Sequence, residues 1–78
     1  MQNPVPGDYR FVVEVRLNGE PREVVDGATV ADLLETIGIG KRRVAVELNR
    51  EIVTRDAYAM TQIRSGDVIE VVQFVGGG

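Results

Sequence analysis

The sequence predicts an α+β domain in which a mixed sheet of four to five strands packs on one main helix. Three observations carry that prediction. Apolar residues alternate along 11–17 and a long β-rich run fills 68–75, a single helical stripe lies between Thr29 and Gly38, and the chain is only 78 residues long. A chain of this size buries about 60% of its unfolded surface. That leaves room for one sheet with one helix on it, and none for a deep catalytic cavity.

The elements follow in order. Residues 1–9, rich in Pro and Gly and without periodicity, read as a flexible leader. Phe11, Val13, Val15 and Leu17 then line one face of a first strand, with Val12, Glu14 and Arg16 on the other. Asn18-Gly19 tolerates the positive φ of a tight hairpin turn, so residues 22–25 return as a second strand. Thr29 is placed to cap a helix, and Asp32 puts negative charge in its first turn. Val30, Leu33, Leu34 and Ile37 recur at the spacing of one helical face, and Gly38 is positioned to end it in a left-handed conformation. Residues 44–48 form the third strand, Asn49-Arg50-Glu51 turns the chain, and Ile52-Val53 is a short fourth piece. Residues 54–62 show no period; Tyr58 and Met60 are expected to anchor a surface loop or a single helical turn to the core. After the turn Ser65-Gly66-Asp67, the last strand covers 68–75. The helix between strands two and three predicts a right-handed crossover covering one face of the sheet. The domain thus spans 10–75, and residues 76–78 form a flexible Gly-Gly-Gly tail.

Composition removes whole classes of function. There is no Cys and no His, hence no disulfide, thiolate or imidazole metal site, cysteine nucleophile or histidine base. The net charge of −3 and the few aromatic residues argue against a nucleic-acid partner. Lys41-Arg42-Arg43, the one basic cluster, reads as a solvated helix end or strand entry. Gly38-Ile39-Gly40-Lys41 lacks the spacing of a phosphate loop, and scattered carboxylates such as Glu47, Glu51 and Asp56 make no evident acid–base pair. No apolar run is long enough for a membrane span and no signal peptide is visible, so the expected compartment is the cytoplasm.

The chemistry is expected at the C-terminus. Gly76, Gly77 and Gly78 follow a strand directly, with Phe74 and Val75 as the last side chains before them. Residues without Cβ can thread a narrow channel and bring a main-chain carboxylate to a nucleotide. A carboxylate must be activated before a nucleophile can replace its oxygen, and this chain has no nucleotide site or thiol with which to do so. The machinery is therefore expected in partners. On the last strand, Ile69 and Val71 should face the helix, leaving Glu70, Val72 and Phe74 on the uncovered face. Val72, Phe74 and Val75, joined by Val12, are expected to form an apolar docking patch leading to the tail, unless residues 54–62 fold over it.

Four segments carry a family resemblance: Leu17-Asn18-Gly19-Glu20, Thr29-Val30-Ala31-Asp32-Leu33-Leu34, residues 46–53, and Gly66-Asp67-Val68-Ile69-Glu70 leading through Phe74 to Gly78. In their order they resemble the ubiquitin-like β-grasp sulfur carriers, most closely the ThiS-type carriers of thiamine biosynthesis, over residues 11–78. The resemblance implies a five-stranded sheet around one helix, with the first and last strands adjacent at its centre. It implies that Gly78 is the modified residue. A ubiquitin-activating-type adenylating enzyme would use ATP to form an acyl adenylate there, a desulfurase system would supply sulfur, and thiazole synthase would consume the resulting thiocarboxylate. No cofactor would be bound by the chain itself, and it would be a carrier rather than an enzyme. The rivals are the small subunit of molybdopterin synthase, which usually carries prolines before its Gly-Gly, a carrier for another thio-metabolite, and a non-covalent β-grasp binding module.

Overall fold

Asn18 and Gly19 both adopt positive φ, 52° and 87°. This is the geometry whose twist matches a two-residue hairpin. It joins β1 (Val12–Leu17) to β2 (Glu20–Val25) in antiparallel register, Leu17 opposite Glu20 and Val12 opposite Val25. The computed structural model describes residues 11–40 and 42–74. The leader and tail assigned to 1–9 and 76–78 therefore lie outside the described residues.

Helix α1 (Val30–Thr36) begins at Thr29 with reciprocal caps. The Asp32 N–H donates to Thr29 Oγ1 at 3.2 Å, and the Thr29 N–H donates to Asp32 Oδ2 at 2.9 Å. Val30, Leu33 and Leu34 are buried and Ile37 is half-buried, so the apolar stripe faces the sheet. Gly38, at φ 84°, ends the helix. Its N–H reaches the Glu35 carbonyl, and the Ile39 N–H reaches back to Leu34.

The chain continues through β3 (Val44–Leu48), β4 (Glu51–Val53), a 3-10 helix (Arg55–Met60) and β5 (Val68–Gln73). The five strands form one mixed sheet in the order β2-β1-β5-β3-β4. β1 runs parallel to β5 and β3 runs antiparallel to it, which puts the first and last strands side by side at the centre. The crossover from β2 to β3 passes over both. Together with α1, Val15, Val46, Ile63 and Ile69 form the core on one face of the sheet, each essentially solvent-free.

Several expectations change. Phe11 precedes β1 and is 72% exposed, because a seven-residue helix of about 10 Å covers only the middle of the sheet. Tyr58 does pack on the core, its hydroxyl 3.5 Å from the Val44 carbonyl, but Met60 at the end of the 3-10 helix is exposed. The turn before β4 is only Asn49-Arg50, both at positive φ, and Glu51 already pairs with Leu48. β5 ends at Gln73, so Phe74 lies just beyond it and Val75 outside the described residues. Ile63 was missed as a core residue. It has no periodic neighbours, and it is carried inward by main-chain pairing with the α1 entry, its N–H on the Ala28 carbonyl.

Candidate functional site

The strand that leads to the tail is held by two turn asparagines. Asn49, after β3, donates from Nδ2 to Asp67 Oδ1 at 3.0 Å and accepts the Val68 N–H on Oδ1 at 2.9 Å. Asn18, where β1 turns away, accepts the Val71 N–H at 2.8 Å and donates to the Val71 carbonyl at 3.2 Å. Its side-chain amide thus continues the parallel ladder for one step after the backbone has left it. Sequence patterning marks both asparagines as turn residues and is blind to this second role, because the partner of Asn18 lies 53 residues away.

Among the described residues no helix covers the face of the sheet opposite α1. Val72 and Phe74 lie there, 57% and 58% exposed, as the alternation along the strand requires, while Ile69 and Val71 are buried on the other side. The 3-10 helix does not cover them, because it packs against α1. Val12 does not join them. Arg16 lies opposite Val68, so Val12 falls four residues before that level and Val72 four after it, about 26 Å apart along the strands. The neighbours that do extend the patch come from β3 and β4: Ala45 is directly opposite Val72, and Ile52 on the edge strand is 68% exposed. Val75, the third expected docking residue, lies outside the described residues, as do Gly76, Gly77 and Gly78.

Arg43, Ala45, Ile52, Thr54, Arg55 and Phe74 line a shallow groove of about 400 Å³ at the tail end of this face. Arg42 and Arg43 are exposed at the entry to β3, as a solvated strand entry should be, and they also rim the groove. The Phe74 N–H bonds to the Arg43 carbonyl at 3.1 Å, which fixes the groove to the last described residue before the tail. Further along the face, Glu47 stands directly opposite Glu70. Like charges placed so cost stability in isolation. The surface is therefore apolar at its centre, cationic towards the tail and anionic behind it.

Nothing in this arrangement is a catalytic constellation. Among the described residues no cluster of carboxylates could hold a metal ion, and no helix is long and apolar enough to cross a membrane. Lys41 lies outside the described residues, and Gly38-Ile39-Gly40 follows a helix C-terminus, where no main-chain N–H groups converge on a phosphate.

A five-stranded mixed sheet with its first and last strands parallel at the centre and one helix crossing it define a ubiquitin-like β-grasp domain. Residues 15–78 match the model of the ThiS family. The chain is 42% identical over 64 residues to the sulfur carrier protein ThiS of Thermus thermophilus and 38% identical over 65 residues to that of Bacillus subtilis, in each case covering 82% of this chain and 98% of the relative. A crystal structure of the thiamine biosynthesis protein ThiS from Geobacter metallireducens superposes with a TM-score of 0.73 at 33% identity, covering 85% of this chain and all of that one. A thiazole synthase of Paramagnetospirillum magneticum is 45% identical over 62 residues, but the chain spans only 19% of its length. The chain belongs to the ThiS family, the sulfur carriers of thiamine biosynthesis. The relatives that it matches over nearly their whole length are named sulfur carrier proteins.

Proposed function

We propose that Gly78 is the atom-carrying residue of this carrier: its main-chain carboxylate is adenylated and then converted to a thiocarboxylate. The observation that supports this most is the site at which the fold delivers its last strand. β5 is the central strand, buried on its core face and held at Val68 and Val71 by asparagine side chains, and three glycines follow it in the sequence after Phe74 and Val75. A rigid strand followed by residues without Cβ suits insertion of a terminus into a narrow partner channel.

The chemistry then runs in two balanced steps. A carboxylate oxygen of Gly78 attacks the α-phosphorus of ATP in the adenylating enzyme, and pyrophosphate leaves. Sulfur at the oxidation level of sulfide, delivered by a desulfurase system, attacks the acyl carbon of the adenylate, and AMP leaves with the bridging oxygen. The thiocarboxylate is the form that thiazole synthase consumes, and the similarity of part of that enzyme to this chain supports such a partnership. The apolar patch of Val72 and Phe74, continued by Val75 towards the tail, is the docking surface. A cation from the partner would relieve the Glu47–Glu70 repulsion, and acidic groups would meet Arg42 and Arg43. The whole cycle belongs in the cytoplasm, where ATP and the sulfur-mobilising enzymes are.

Incubation with ATP, the adenylating enzyme and a sulfur donor should raise the intact mass by one oxygen-to-sulfur exchange. Deleting Gly78 should abolish that gain without changing the circular dichroism spectrum. An unchanged mass of the full-length chain beside an enzyme that thiolates another ThiS would overturn the proposal.

A further inference from the structure

The two sides of β5 end at different places. Towards β3 the ladder continues to the last described residue: the Asn49 N–H bonds to Val68, and the Phe74 N–H to Arg43. The even-numbered residues of β5 therefore point their main-chain groups at β3, and the odd-numbered ones point at β1. On the β1 side, Ile69 accepts the Asn18 N–H, and both main-chain groups of Val71 are taken by the Asn18 side chain. Gln73 is the next residue in that series. β1 has already turned back into β2, so the N–H and carbonyl of Gln73 face an open edge and have no partner among the described residues.

An unpaired strand edge is a template for one more strand. Its position determines what that strand belongs to. Gly78 lies five residues beyond Gln73, a reach of about 17 Å at full extension. A protein that takes the carboxylate of Gly78 into a nucleotide site therefore comes within about 17 Å of Gln73. The three glycines offer no side chain to read, so recognition of this stretch has to be made through the main chain.

We propose that the open edge at Gln73 is a main-chain docking site, completed by an extended segment of the adenylating enzyme that pairs with the N–H and carbonyl of Gln73 and so aligns the tail. This rests on the carrier reading above.

Gln73→Pro tests it. Proline removes the Gln73 N–H, which has no partner among the described residues, and proline is tolerated on a strand edge facing solvent. The variant should melt like the parent chain yet bind the adenylating enzyme about tenfold more weakly, the scale of one or two lost interface hydrogen bonds. Gln73→Ala, which keeps the main chain, should bind within about twofold of the parent. In the unaltered chain, hydrogen exchange at the Gln73 amide should be fast alone and slow when the enzyme is present, and this reading stands even if the proline variant fails to fold. Parental binding by a folded Gln73→Pro variant, or a Gln73 amide that the enzyme leaves unprotected, would overturn the edge while leaving thiolation of Gly78 untouched. An unaltered chain that the enzyme does not bind would overturn the edge and the carrier reading together.

Discussion

Asn18 is the side chain that holds β5 where β1 turns away. Its positive φ makes the hairpin turn, and its side chain then serves as a substitute peptide group for Val71. Alanine in its place would have to hold φ near 52°, and it would leave the Val71 N–H and carbonyl without their partner. Asn18→Ala should therefore cost about 2–3 kcal/mol, read from the midpoint of urea unfolding. It should also speed hydrogen exchange at the Val71 amide more than at Ile69, whose place in the β1–β5 ladder is made by backbone alone. Equal acceleration at both positions would mean that the turn, and not the side-chain amide, does the holding.

At the scale of elements, the helix shows how local signals combine. Seven residues are too few for a helix to persist by propensity alone, so α1 depends on its caps and its packing. Thr29→Ala removes one half of the reciprocal cap and should lower stability by about 1 kcal/mol, a fall of roughly 4–8 °C in melting temperature. A melt unchanged by this substitution would show that packing of Val30, Leu33 and Leu34 carries the helix unaided. These caps and this stripe were legible in the sequence because each rests on spacing within one turn or two. The hairpin at Asn18-Gly19, β3 and the buried face of β5 were legible for the same reason. What the sequence could not show depends on register between distant segments. The separation of Val12 from Val72, the burial of Ile63 and the reach of both asparagines to β5 exist only once the strand order is known. The place of Ile52 beside the exposed Val72 and Phe74 belongs to the same group, since three strand residues are too short a run to show a face.

Across the whole molecule, the decisive feature is that one face of the sheet carries the core while the other leaves Val72, Phe74 and Ile52 exposed, the surface proposed above for docking. Phe74 tests that division. With 58% of its surface exposed, Phe74→Ala should change stability by no more than about 0.5 kcal/mol. It should weaken binding to the adenylating enzyme by about tenfold or more, as loss of a central aromatic anchor does. A large drop in melting temperature would instead assign Phe74 to the core. The central position of β5 also has a mechanical meaning. A pull on the C-terminal end of β5 acts along its own axis, between β1 and Asn18 on one flank and β3 on the other. The hydrogen bonds on both flanks lie across that direction and take the load together, in shear, instead of opening one at a time like a zipper. In the proposed cycle, the domain would therefore be gripped by its terminus and turned over to successive enzymes without unravelling from the end that is handled.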